Sequence, residues 1–293
     1  MRWLGDLRCV RLGSSDLDAS VRFATEILGL QLVRRDAQRA YLRAGAGRDH
    51  DVVYVRDAGH DALVFELGSH DALAAAVAAL EASGHAVREA TRHERDERMV
   101  EAMYALCDPT GNPLELVTGL AASTTCTLSR AANITSFSHV GLRTTDPARD
   151  EQFWTQRLGA RVSDWIGEVP LLRLDEVHHR IALFPSPRAG VQHVNFQVAG
   201  IDDVMRSYYF LRERGVRIVF GPGRHPTSSA VFLYFEGPDA IVYEYSTGVR
   251  LITDEAGHVP RRFPFEPASF CMWGARPEIA EFRSAEAGAE AGR

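Results

Sequence analysis

Apolar and polar residues alternate over 192–198, which predicts a strand with His193, Asn195 and Gln197 on one face. Val194, Phe196 and Val198 occupy the other face, so the polar face looks into a concavity. Residues 136–142 alternate in the same way and place Phe137, His139 and Gly141 together. A third strand, 241–246, sets Val242, Glu244 and Ser246 opposite Tyr243 and Tyr245. Helical periodicity takes over across 147–158 and 201–214. Asp146 precedes the first helix and Asp202 or Asp203 the second, where N-caps belong. Gly159 and Gly215 follow them where a C-cap is expected. Short strands run on from each helix, giving the order strand, helix, three strands.

That unit recurs. Cys9 and His139 each lie seven residues before an Asp (Asp16, Asp146), at an offset of 139 − 9 = 130. Leu114-Glu115-Leu116 matches Tyr243-Glu244-Tyr245 at 244 − 115 = 129, and Leu63-Val64-Phe65 matches Val194-Asn195-Phe196 at 194 − 63 = 131. Three anchors at a nearly constant offset make the two halves copies of one design. The predicted class is therefore α+β, with two tandem domains of two βαβββ modules each. Residues 1–120 form the first domain and the small, polar stretch 121–133 a linker. Residues 134–293 form the second domain. Within it, 260–273 is rich in Pro and aromatic residues and reads as a packing strap or as a lid over a pocket. From Phe282 onward no packing pattern exists, and the tail is expected to fray.

A length of 293 residues suits two domains, and 45% hydrophobic with 25% charged residues is an ordinary globular balance. A net charge of −6 with no basic run speaks against nucleic-acid or membrane partners. All 33 basic residues are Arg, which excludes Schiff-base chemistry on Lys and a P-loop Lys. No stretch approaches the ~20 apolar residues of a membrane span, and the first residues lack a signal-peptide core. Four scattered cysteines without a CxxC pair read as free thiols, so a cytoplasmic setting is expected.

His139, His193 and Glu244 fall on the concave faces of three strands. Two imidazoles and one carboxylate on rigid strands are the ligand set of a facial triad, which leaves positions open for substrate and O₂ on Fe(II). Taken singly, a strand His or Glu is more often a hydrogen-bonded core residue. The repeat separates the two readings, because the first copy has Cys9, Ala62 and Glu115 at these places. Only the second copy carries imidazoles there.

With these residues the chain resembles the vicinal oxygen chelate superfamily, and within it the type I extradiol catechol dioxygenases. The resemblance spans about residues 5–250. It implies an open, cupped barrel of mixed β-sheet with outer helices, and Fe(II), or Mn(II), held by His139, His193 and Glu244. His179 matches a family histidine beside the O₂ site that acts as acid and base during O–O cleavage, a task suited to a pKa near operating pH. His225 and Tyr234, ten residues before Glu244, match groups that hydrogen-bond the bound catecholate. His178 and His179 also read as a polar turn, His225 as a loop residue and Tyr234 as core. By the family's placement Gly141, Leu171, Ala182 and Thr227 wall the substrate pocket, which favours a catechol with a hydrophobic substituent. Pro226-Thr227-Ser228-Ser229 stands where biphenyl-diol enzymes often carry an Asn-Asp pair. The implied partners are a small aromatic diol, O₂ and further copies of the chain in a homo-oligomer. Two other readings stay open: a glyoxalase-like metal-dependent isomerase or epimerase, and a metal-free small-molecule binder.

Overall fold

The structure, a computed structural model, describes residues 4–123 and 125–283. They group into two compact units. One comprises the described part of Met1–Ala131 with Ala148–Arg161, the other Ala132–Pro147 with the described part of Val162–Arg293.

The first unit holds β1 (Asp6–Gly13), β2 (Gln31–Arg35), β3 (Arg39–Arg43), β4 (Val52–Val55), β5 (Ala62–Glu66), β6 (Arg88–Glu89), β7 (Ala102–Cys107) and β8 (Pro113–Thr118) in one sheet. Their order is β2-β3-β4-β1-β5-β8-β7-β6. Helices α1 (Leu17–Arg22), α2 (His70–Ala82) and α3 (Arg92–Arg98) follow or interrupt the strands. The second sheet contains β9 (Ile134–Thr144), β10 (Arg161–Ile166), β11 (Val169–Arg173), β12 (Ile181–Pro185), β13 (Val191–Val198), β14 (Ile218–Arg224), β15 (Val231–Glu236), β16 (Val242–Thr247) and β17 (Arg261–Phe263). The remaining α-helices are α4 (Pro147–Gln152), α5 (Ile201–Glu213) and α6 (Pro267–Phe270). Apart from the added edge strand β17, its order β14-β15-β16-β13-β9-β12-β11-β10 is that of the first sheet read backwards. Each module closes with a parallel pair (β1/β4, β5/β8, β9/β12, β13/β16), and an antiparallel pair (β1/β5, β9/β13) joins two modules. The four-module α+β design read from the sequence is the observed one.

Three local expectations change. Neither Asp202 nor Asp203 caps α5: Gly200 is the N-cap, and both acids lie in the first turn, where they complement the helix dipole. Asp203 instead accepts from Asn133 (2.7 Å) and Arg206 (2.7 Å). The two predicted C-cap glycines, Gly159 and Gly215, do adopt φ of 77° and 68°. Phe137 does not share a face with His139. The pairing of β9 with β13 shifts between Val194 and Phe196, and this bulge turns Phe137 toward Phe196, at a ring separation of 6.2 Å. Finally, Phe282 is buried at 4% exposure and stacks against Phe270, so the chain is packed through that residue. The rest of the tail expected to fray lies outside the described residues.

The core of the second unit is a cluster that includes Leu171, Ala182, Phe184, Phe220, Phe232, Tyr234 and Phe270. Burying each large apolar side chain contributes about 2 kcal/mol. All four cysteines are free thiols, and among the described residues no helix is long and apolar enough to cross a membrane.

Candidate metal centre

β9, β13 and β16 lie side by side and each delivers one donor from mid-strand: His139, His193 and Glu244. His139 Nε2 stands 3.1 Å from His193 Nε2 and 3.1 Å from Glu244 Oε2, and His193 Nε2 is 3.6 Å from that oxygen. An octahedral divalent ion with donors at about 2.1 Å holds neighbouring donors about 3 Å apart, so this triangle fits one face of such an ion. All three residues are buried. Glu244 Oε2 makes no well-formed hydrogen bond, and a bound cation is what such an oxygen lacks.

Neighbouring groups set the tautomers. His193 donates Nδ1–H to Gln192 Oε1, which leaves Nε2 bare toward the other donors. Gly141 pairs with His193 across the sheet, and a Cβ there would overlap the imidazole ring and crowd Gln192 Oε1. Glycine at this position makes room for the ligand. Gly141 stands directly behind the His193 ring. Burial and the His139 imidazole lower the His193 pKa to about 3, so the ring stays neutral. Burial alone would raise the Glu244 carboxyl, but the surrounding imidazoles hold it well below the usual range.

A small cavity of about 30 Å³ opens beside the triad. His179, His225 and Tyr234 line it together with Leu171, Ala182 and Thr227. Phe270 and Phe282, from the segment after the last ligand strand, form another wall. The His179 ring lies 4.2 Å from that of His139. Burial, reinforced by the neighbouring imidazoles, drops its pKa well below that of a free histidine. The ring is therefore held neutral in this buried, imidazole-rich setting. His225 donates Nδ1–H to the Phe270 carbonyl (2.7 Å), so its Nε2 accepts from the Tyr234 hydroxyl (3.2 Å). Burial and the Glu244 carboxylate raise the Tyr234 pKa, which keeps the phenol a donor.

Sequence reasoning missed Gln192, Asp164 and Arg261. Strict alternation points Gln192 away from the cup, yet the pairing shifts between Val191 and His193 and brings its amide to the ligand. Asp164 and Arg261 are remote in sequence and meet only because β17 pairs with β10. The segment 260–273 packs as a strap: β17 joins the sheet, and Phe270 and Cys271 enter the core cluster.

Comparison with known proteins agrees with this architecture. An iron-dependent extradiol dioxygenase of Rhodococcus jostii (strain RHA1) is 26% identical over 303 residues, covering 92% of this chain and 95% of its own. The crystal structure of an Mn(II)-bound glyoxalase from Novosphingobium aromaticivorans superposes with a TM-score of 0.82 at 26% identity, covering 98% of this chain and 100% of that one. A halotolerant catechol dioxygenase shares the fold with a TM-score of 0.85 at 20% identity, over 96% and 97% of the two chains. The Glyoxalase/Bleomycin resistance protein/Dioxygenase superfamily profile matches residues 7–116 and again 136–245, once for each copy of the design. The chain belongs to that superfamily.

Proposed function

We propose that the chain is an extradiol ring-cleaving dioxygenase, which inserts both atoms of O₂ into a substituted catechol next to its diol. The observation that carries this reading is the triangle of His139, His193 and Glu244 donors beside a cavity lined by His179, His225 and Tyr234. Fe(II), or Mn(II), held by the triangle would supply Lewis acidity to the diol oxygens and a route for electrons from ring to O₂. Around it the chain's own groups divide the work. His179, a neutral imidazole, takes and returns a proton beside the O₂ position. Tyr234 and His225 hydrogen-bond the bound catecholate and hold the ring in place.

Leu171, Ala182, Phe184, Phe270 and Phe282 make the cavity apolar, and no Arg stands among its lining residues. That supports a catechol with a neutral, apolar substituent. A volume of about 30 Å³ has room for one or two waters, so the cavity must widen to admit a catechol. On this reading residues 1–120 are the domain without metal, 121–133 the linker and 134–293 the catalytic domain. Free thiols support a reducing, cytoplasmic setting, and exposed Met272 and Trp273 support self-association into a homo-oligomer.

The glyoxalase among the structural relatives keeps a metal-dependent isomerase as the second reading. His179, His225 and Tyr234 at the cavity favour ring cleavage. Fe(II)-loaded protein mixed with a panel of 3- and 4-substituted catechols separates the two. One O₂ consumed per catechol with a yellow product is expected; no O₂ uptake with any catechol would overturn the proposal.

A further inference from the structure

His179 does not stand alone. Its Nδ1 lies 3.1 Å from His178 Nδ1, and His178 Nε2 lies 3.0 Å from Asp164 Oδ2. Asp164 and His178 are both fully buried. Arg261, paired with Asp164 in the β10/β17 register, donates to its carboxylate from the backbone N–H (2.8 Å), from Nε (3.2 Å) and from Nη2 (2.6 Å). Arg250 adds a fourth donor at 3.1 Å. Arg261 Nη2 also reaches the carbonyl of Thr227, a residue of the cavity wall.

A carboxylate held by two guanidinium groups only accepts, so His178 must carry its proton on Nε2. Burial keeps His178 from taking a second proton, which leaves a lone pair on Nδ1. The contact between the two Nδ1 atoms is then a hydrogen bond only if His179 is protonated at Nδ1. The remaining nitrogen of His179, Nε2, is bare. We infer that Asp164, through His178, positions His179 and selects Nε2 as its basic nitrogen, with Arg261 of the strap holding the carboxylate in place. Asp164 and His178 are positioning residues: neither lines the cavity. A buried charge cluster adds little net stability against an apolar core of equal volume, whereas fixing a tautomer requires a fixed acceptor. The inference builds on the ring-cleaving reading, since that gives His179 its work, but the tautomers exist without metal or substrate.

Two measurements test it. ¹⁵N-histidine NMR of the metal-free protein should show His178 protonated at Nε2 and His179 at Nδ1. In His178→Met, which removes the acceptor, the His179 proton should no longer be confined to Nδ1. Asp164→Asn and His178→Met should each lower kcat about 10- to 100-fold while KM for the catechol and iron content stay within about twofold. If Asp164→Asn fails to fold, His178→Met and the spectrum of the unaltered chain still decide. Protonation of His179 at Nε2 in that chain, or both variants turning over within twofold of it, would overturn the inference. The stated tautomers in a chain that cleaves no catechol would support the positioning and overturn ring cleavage instead.

Discussion

The two cups answer one problem, a buried carboxylate, in different ways. Glu115 of the first copy and Glu244 of the second occupy equivalent strands, β8 and β16. In the first cup Arg98 binds Glu115 at 2.7 Å, and Arg11 Nε approaches it to 4.0 Å. Glu97 completes the cluster by accepting from Arg11 (2.9 Å), Arg39 (2.7 Å) and Arg98 (2.7 Å). The protein itself supplies the cations there. In the second cup Glu244 faces three imidazole nitrogens, of His139, His193 and His225, and among the described residues no guanidinium pairs with it; its Oε2 makes no well-formed hydrogen bond.

The exchange is visible one strand pair away. Arg11 pairs with Ala62 across β1/β5, whereas Gly141 pairs with His193 across β9/β13. A large residue opposite a small one is kept in both copies, but on opposite strands. The first arrangement sends a guanidinium toward the carboxylate, and the second sends an imidazole. A buried carboxylate therefore calls for a cation, and whether that cation is an Arg or a metal turns on few positions.

That contrast can be broken at several points, and the largest effect comes from the ligands. His193→Ala removes one donor of the triangle and should abolish iron binding and turnover, checked by metal analysis and O₂ uptake. His179→Asn should keep the iron but slow turnover about 10²- to 10⁴-fold, the range of a lost acid–base group. Loss of the metal in that variant would mean that His179 is a ligand. Gly141→Ala pushes a methyl into the His193 ring and should weaken iron affinity about 10- to 100-fold, measured by chelator competition. Ala62→Gly at the matching place in the first cup should leave iron affinity unaltered.

The smallest effect on activity is expected from Glu115→Gln. It leaves buried Arg98 and Arg11 short of a counter-ion and should lower stability by about 3 kcal/mol in denaturant melts. Iron content and kcat should stay within about twofold of the unaltered chain. A loss of iron there would show that the first cup does more than support the second.

Much of this was legible because strands on rigid sheets preserve spacing. The offset near 130 anticipated that β1/β9, β5/β13 and β8/β16 are equivalent strands. Alternation anticipated that His139, His193 and Glu244 share a concave side. It failed at Phe137 and Gln192, because each lies beside a register shift, and one extra residue reverses which face a side chain takes. That the missing Cβ of Gly141 accommodates a ring on the next strand was not legible, because nothing local reveals the cross-strand neighbour. The Asp164–His178 contact and the Arg261 clamp were illegible for a related reason: 261 − 164 = 97 residues separate partners that only the edge strand β17 brings into register. The depressed basicity of His179 follows from burial by residues scattered across the sheet, which no motif encodes.

The two cups should differ above all in metal, with the second alone holding one. Anaerobic titration of metal-free protein with Fe(II) measures it directly. One tightly bound iron per chain is predicted, retained in Glu115→Gln and lost in His193→Ala. Two irons per chain, none, or one that survives His193→Ala would contradict it.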